Sequence, residues 1–159
     1  PHVYPEDIKA ESYLLYDVDK SEIIYSKNID KRLGLASLSK VMTMYIAKKN
    51  CPQILDKYIS RILIESSNDN TEILADKCLG KDFVNEMNKV SNRLGLDSVF
   101  YNSTGLPLLE DNIEKVGNTG SVNSFLKLLL IIDKEYPDIY QSIFNSRDKL
   151  INTNPYIDK

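Results

Sequence analysis

Histidine is almost absent from this chain, and its scarcity excludes a large group of catalytic sites. The 159 residues contain one histidine, His2, which we expect in a loose N-terminal tail. A Ser-His-Asp triad needs a positioned imidazole, and a histidine zinc site needs several, so neither is expected. We expect no metal and no cofactor. A serine nucleophile in this chain would need a base other than histidine.

Long apolar runs and a strong charge of either sign are also missing. The longest apolar run, near Leu128 to Ile132, is far shorter than the roughly 20 residues that span a bilayer, and it fits the apolar face of a helix. A net charge of −3 and a pI near 5.2 argue against a nucleic-acid partner. The length and the 42% hydrophobic content suit one globular domain over residues 1–159.

Cysteine is represented by Cys51 and Cys78 alone, and their separation is not typical of a metal site. They are either two buried thiols or a single bridge. We favour buried thiols, because free cysteine behaves as a small hydrophobic residue and is often found in cores.

The patterns along the chain predict more helix than strand. Strand-forming residues at 12–18 and 22–25, joined by a polar turn, predict an N-terminal β-hairpin. Apolar residues at helical spacing predict helices at 37–49, 53–64, 71–78, 83–94, 121–134 and 137–144. We expect a turn at 102–107, a polar loop at 108–120 and an extended tail at 149–159. The pattern is that of an α+β domain with few strands for its helices.

A serine and a lysine three residues apart, Ser37 and Lys40, stand at the start of the helix predicted at 37–49. At this spacing both side chains lie on one helix face. A helix start also offers free backbone N–H groups and the positive end of the helix dipole. With no histidine available, Lys40 is the candidate base for a Ser37 nucleophile. A helix cap beside a solvated lysine is the alternative interpretation of this spacing.

A second motif, Ser66-x-Asn68, follows in a polar segment between two apolar ones. Its other interpretation is plain capping of the next helix. Ser-x-x-Lys and Ser-x-Asn are the first two motifs of penicillin-binding proteins and class A β-lactamases. The chain resembles the serine-type D-alanyl-D-alanine carboxypeptidases, the low-molecular-mass penicillin-binding proteins, in four blocks that occur in the family's order. These blocks are AESYLLYD at 10–17, ASLSKVMT at 36–43, LIESSND at 63–69 and NSTGLP at 102–107. Residues 152–154 look like the stretch just upstream of the family's third motif.

The resemblance implies a β-lactamase/transpeptidase-like fold and an acyl-enzyme mechanism. Ser37 would attack the peptide bond between the two terminal D-alanines of a peptidoglycan stem peptide, with Lys40 as base. Ser66 would relay a proton to the leaving amine, and Asn68 would bind the substrate amide. β-Lactams would be covalent inhibitors. Such a substrate implies an exported protein, periplasmic or at the cell surface, and membrane attachment through a C-terminal segment is possible.

The chain departs from the family pattern in two places. No Lys-Thr-Gly, the third motif, follows Ser66 before the last residue, Lys159. In the family this motif supplies a cation and an oxyanion N–H, and further sheet strands follow it. Ser37 and Ser66 are also only 29 positions apart, so the lobe that separates the motifs in the family is missing. Since the chain also begins at Pro1, we expect a partial catalytic domain whose activity is impaired.

Two other functions compete with the carboxypeptidase. A class A-like β-lactamase needs a glutamate for deacylation, and Glu110 and Glu114 lie in the right region without the Glu-x-x-Leu-Asn pattern. A catalytically inactive penicillin-binding-like module is favoured by the absence of the third motif. The resemblance assigns the 102–107 turn a structural role only.

Overall fold

The predicted N-terminal hairpin is present in the computed structural model, which describes residues 5–139. Strands β1 (Tyr13–Asp17) and β2 (Glu22–Lys27) pair antiparallel, with an irregularity in the register after Leu15. Every residue of β2 is exposed, and β1 packs against the last helix of the described region. The predictions for His2, for most of 137–144 and for the 149–159 tail lie outside the described residues, as do residues 152–154.

The helical part of the domain follows the predicted order. Its helices are α1 (Ser39–Asn50), α2 (Pro52–Leu55), α3 (Ile59–Leu63), α4 (Asn68–Cys78), α5 (Phe83–Arg93) and α6 (Val122–Glu135). No helix within residues 5–139 is both long enough and apolar enough to cross a membrane. The prediction of one helix over 53–64 is wrong. The Tyr58 N–H bonds the carbonyl of Leu55, and this tight turn separates α2 from α3.

Helix α1 runs through the middle of the domain, as its nearly uniform apolar surface predicted. It packs against each of the four helices that follow it in the chain. Met42, Tyr45 and Ile46 contribute to one apolar cluster and Met44 and Ala47 to another, on different faces of the same helix. The position of the α1 N-terminus is therefore fixed by the core on several sides.

The polar loop predicted at 108–120 contains strands instead. Strands β4 (Leu108–Glu110) and β5 (Ile113–Lys115) form a second hairpin. Its two turn residues, Asp111 and Asn112, both have positive φ angles, which aspartate and asparagine tolerate better than most residues and which a tight hairpin requires. A last short strand, β6 (Thr119–Gly120), pairs with β3 (Leu33–Gly34), directly before the Ser37 motif.

Cys51 and Cys78 form a disulfide, so the expectation of two buried thiols is wrong. Cys51 directly follows α1, and Cys78 is the last residue of α4, with a Cα–Cα distance of 5.6 Å. The two helices pack side by side and bring their C-terminal ends together. The spacing of the cysteines in the sequence does not indicate this bond, because they are 27 positions apart.

Candidate active site

Ser37 lies in a tight 3-10 turn, Ala36–Leu38, and α1 begins two residues later than predicted. Ala36 has a φ of 44°, a left-handed conformation that costs energy for any residue with a Cβ. The pairing of β3 with β6 fixes the chain directly before this turn. Ser37 itself is exposed, so its hydroxyl is open to a ligand.

Lys40 lies beneath Ser37 and is 2% exposed. Its Nζ is hydrogen-bonded to Ser37 Oγ at 3.1 Å and donates to the carbonyl oxygen of Thr104 at 3.0 Å. Both partners are neutral groups. Burial lowers the pKa of Lys40 below the ordinary lysine value, because removal from water penalises the ammonium form. The arrangement joins the side chain of an exposed serine to a buried amine whose ammonium form is penalised by burial.

The 102–107 turn lies against this pair and contacts α1 at two levels. Thr43 Oγ1 donates to the Ser103 carbonyl at 2.6 Å, one helical turn beyond the bond from Lys40 to Thr104. A Cβ on Gly105, whose φ is +87°, would lie 1.7 Å from the carbonyl oxygen of Ala36. Only glycine fits this close backbone approach.

Sequence reasoning assigned the turn a structural role and missed its contact with the lysine. Lys40 and Thr104 are 64 residues apart. The contact is made by a backbone carbonyl, which every residue type has, so the amino-acid sequence does not indicate it. The glycine within Asn-Ser-Thr-Gly was the available hint, since it marks a left-handed backbone or a close approach.

Ser66 lines the same cleft as Ser37 and Lys40, and its φ of 54° is also left-handed. The cleft has a volume of about 340 Å³, and its other lining residues are apolar or small: Leu35, Ala36, Leu38, Val41, Ile62 and Leu63. The helix that follows begins earlier than the predicted Thr71, at Asn68. Its cap is Ser67, whose Oγ accepts from the Asn70 N–H. The second motif therefore provides a cap, but through Ser67 and not through Ser66.

The position of Asn68 relative to the cleft differs from that of the other three candidate residues. It is the first residue of α4, partly buried, and it is not among the residues that line the cleft within the described part of the chain. The structure thus brings Ser37, Lys40 and Ser66 to one cleft and leaves Asn68 beside it. Residues 5–139 contain no group of three or more His, Cys, Asp or Glu side chains that could hold a metal ion.

The fold and the site together define a class of protein. A helix-rich domain with an N-terminal hairpin, a Ser-x-x-Lys at the start of its central helix and a serine from the second motif across the cleft has the β-lactamase/transpeptidase-like fold. The resemblance to serine-type D-alanyl-D-alanine carboxypeptidases and penicillin-binding proteins is confirmed by comparisons at the level of sequence family, curated relatives and solved structures.

The family model of D-alanyl-D-alanine carboxypeptidase matches residues 2–57, which include Ser37 and Lys40. The D-alanyl-D-alanine carboxypeptidase DacF of Bacillus subtilis is 29% identical over 132 residues, covering 62% of this chain and 34% of that protein. This chain therefore spans about a third of the length of its curated relative.

Solved structures share the fold at lower identity. Penicillin-binding protein D2 of Listeria monocytogenes, in its cefotaxime-bound form, superposes with a TM-score of 0.70 at 23% identity, covering 87% of this chain and 66% of that one. The D-alanyl-D-alanine carboxypeptidase DacD of Francisella tularensis gives a TM-score of 0.72 at 21% identity, covering 84% of this chain and 39% of that one.

Proposed function

We propose that this chain carries the first two motifs of a serine-type D-Ala-D-Ala carboxypeptidase that acts on peptidoglycan stem peptides. One observation carries the proposal: the hydroxyl of Ser37, an exposed residue, is hydrogen-bonded to the buried amine of Lys40. A lysine without a carboxylate partner in its hydrogen bonds, removed from water, can take a proton from a serine, as a histidine does in a triad.

The reaction begins with the neutral Lys40 amine accepting the Ser37 proton as Oγ attacks the carbonyl carbon between the terminal D-alanines. The tetrahedral intermediate then collapses, the C–N bond breaks, and the departing D-alanine amine takes up the proton that Lys40 had accepted, relayed through Ser66, which returns Lys40 to its neutral form. The peptide remains as an ester on Ser37. Water hydrolyses this ester in the second half of the reaction, with Lys40 again as the base.

The developing oxyanion needs hydrogen-bond donors. The Ser37 N–H, in the first turn of the 3-10 segment, is the donor that this chain offers. Asn68, at the start of α4 and two residues after Ser66, is assigned to the amide of the substrate.

We expect the 159-residue polypeptide on its own to be a poor catalyst. It has no Lys-Thr-Gly after Ser66, and in the resembled family that motif supplies the second oxyanion donor and a cation for the substrate carboxylate. Loss of one oxyanion donor costs roughly 3–4 kcal/mol of transition-state stabilisation, a rate decrease of about 10²–10³. A longer protein that contains the motif would be fully active.

The Cys51–Cys78 disulfide supports an exported protein, because such bonds persist mainly in oxidising environments outside the cytoplasm. A periplasmic or cell-surface location also gives access to peptidoglycan. Attachment to the membrane through a further segment belongs to the same proposal.

The test is acylation by penicillin, followed by intact-mass and peptide mass spectrometry. We expect slow labelling at Ser37, abolished in Ser37→Ala. Ser39→Ala is the matched control: Ser39 lies in the same motif but is 1% exposed, and its hydroxyl has no hydrogen-bond partner among residues 5–139. This variant should acylate at the wild-type rate.

The outcome separates the competing functions. A stable adduct supports the carboxypeptidase, whereas an adduct that turns over rapidly would identify a β-lactamase. An absence of labelling after prolonged incubation would identify an inactive module, and rapid stoichiometric labelling would refute the expected impairment.

A further inference from the structure

Asn118, between β5 and β6, is among the largest side chains that the described fold buries completely, with 1% exposure. A buried amide is tolerated only where its donors and acceptors are paired. Its Oδ1 accepts from the N–H groups of Tyr101 and Asn102, at 2.7 and 3.2 Å, and its Nδ2 donates to the Asn102 carbonyl at 2.9 Å. This one side chain therefore fixes the start of the 102–107 turn.

The backbone of the same residue holds the other side of the site. The carbonyl of Asn118 accepts from the N–H of Leu35 at 2.8 Å, two residues before Ser37. Its neighbour Gly117 packs closely on the far end of the turn, since a Cβ there would lie 2.4 Å from the Leu106 carbonyl oxygen. Residues 117–118 are thus in contact with both segments that surround the amine.

The turn transmits this restraint to the lysine. Asn102 Oδ1 accepts from the Gly105 N–H at 2.6 Å, and its Nδ2 donates to the Leu106 carbonyl at 2.9 Å. These bonds close the turn and leave the Thr104 carbonyl directed at Lys40 Nζ, which it meets at 3.0 Å. Hydrogen bonds therefore lead from Asn118 through Asn102 to the Gly105 N–H, whose peptide unit carries the Thr104 carbonyl that holds the amine.

We propose that Asn118 is a positioning residue, which holds Lys40 Nζ between Ser37 Oγ and Thr104 O by fixing both flanking segments at once. The inference deepens the proposed function and rests on it for its catalytic meaning. If the amide is lost, the turn is free to move away from α1 and water reaches the amine. Hydration favours the ammonium form, which cannot accept the Ser37 proton.

No other charge competes for the lysine inside the cleft. Lys40 is the only ionisable residue that lines the cleft in the described part of the chain. Arg61 on α3 and Glu65, just beyond the end of α3, pair with each other at 3.3 Å, and their side chains are 61% and 37% exposed. On α1 and the turn, the hydrogen-bond partners of Lys40 are the neutral groups of Ser37 and Thr104.

The experiment compares Asn118→Leu with Asn88→Leu. Asn88 is a matched control because its amide clamps Phe100, just upstream, through bonds of 2.7 and 2.9 Å, yet it makes no bond to the turn or to Leu35. The pKa of Lys40 is measured by NMR titration of the chain labelled with ¹³C-lysine, with the Lys40 signal assigned by its loss in Lys40→Met. Penicillin acylation of Ser37 is measured in parallel.

We expect Asn118→Leu to raise the pKa of Lys40 by about one pH unit and to slow acylation near neutral pH about tenfold. Asn88→Leu should lose folding stability without changing the pKa of Lys40 or the rate of acylation. An unchanged pKa in Asn118→Leu, or equal shifts in both variants, would overturn the inference. If Asn118→Leu does not fold, Asn102→Ala is judged by the same criteria, since it breaks the next link. A wild type that is never acylated refutes the proposed function alone, because the NMR titration still reports on the position of Lys40.

Discussion

The two sides of the cleft are held in very different ways. On the Ser37 side, the lysine, the turn at 102–107 and Asn118 form a continuous hydrogen-bonded layer against the N-terminus of α1. On the Ser66 side, two helices of four and five residues precede a serine whose side chain is exposed. The nearest backbone restraint is the Ser67 N–H, which donates to the Arg61 carbonyl at 3.0 Å.

The difference shows which part of the site is preorganised. Ser37 and Lys40, the proposed nucleophile and base, are held by contacts from residues far away in the chain. Ser66 depends on α4, and α4 is joined to α1 covalently only at the opposite end, by the disulfide. Four perturbations, in order of expected effect, test whether the two sides respond independently.

Gly105→Ala should have the largest effect, because the added Cβ would lie 1.7 Å from the backbone carbonyl of Ala36. We expect a loss of about 4–5 kcal/mol in urea unfolding. Gly95→Ala is the control, since Gly95 has a similar positive φ of +64° but nothing within 4 Å of a Cβ. It should cost about 1–2 kcal/mol. Equal losses in the two variants would show that the turn does not pack tightly against the Ala36 backbone.

Removal of the disulfide, in Cys51→Ala with Cys78→Ala, should cost about 3–4 kcal/mol, as expected for cross-linking a loop of this length. Hydrogen exchange should accelerate in α4 more than at residues 101–106, because α4 ends at Cys78 and begins next to Ser66, on the other side of the cleft from the turn. A uniform acceleration of hydrogen exchange throughout residues 5–139 would contradict the expectation that the two sides of the cleft respond independently. Reduction of the wild type with dithiothreitol should reproduce the pattern.

Lys40→Met should change how stability depends on pH. Burial places the folded-state pKa of Lys40 below its ordinary value of 10.5, so between these two values the unfolded chain binds one more proton than the folded chain. The stability of the wild type should therefore rise relative to Lys40→Met as the pH increases toward 10.5. Chemical unfolding of both proteins at several pH values measures this difference. A constant or falling difference would mean that the amine is not penalised by burial.

Ser66→Gly and Ser66→Ala should have the smallest effects and separate strain from chemistry. Glycine relieves the left-handed φ of 54° and should stabilise the fold by about 0.5–1 kcal/mol, whereas alanine should not. Both variants lose the hydroxyl, so both should slow penicillin acylation equally. If one variant were acylated more slowly than the other, the contribution of Ser66 to acylation would depend on its backbone conformation as well as on its hydroxyl.

Much of the fold could be predicted because it depends on short-range patterns. The hairpin, the central position of α1 and helices α5 and α6 follow from the spacing of apolar residues, and the α+β class is confirmed. The break between α2 and α3 and the strands in 108–120 were missed. The break depends on one turn between Leu55 and Tyr58, and the hairpin depends on the left-handed Asp111 and Asn112, neither of which the apolar pattern specifies. The roles of Ser37, Lys40, Ser66 and Asn68 stay predictions.

The sequence by itself determined that Ser37 and Lys40 stand three residues apart where the central helix begins, that the motif contains no histidine, and which family the chain resembles. Only the tertiary structure decided what surrounds the lysine and which elements are cross-linked. The Thr104 carbonyl, the buried Asn118 and the Cys51–Cys78 bond all join segments that are distant in the chain. Spacing within a helix is local, whereas burial and the pKa of an amine depend on packing between segments, which no local pattern specifies.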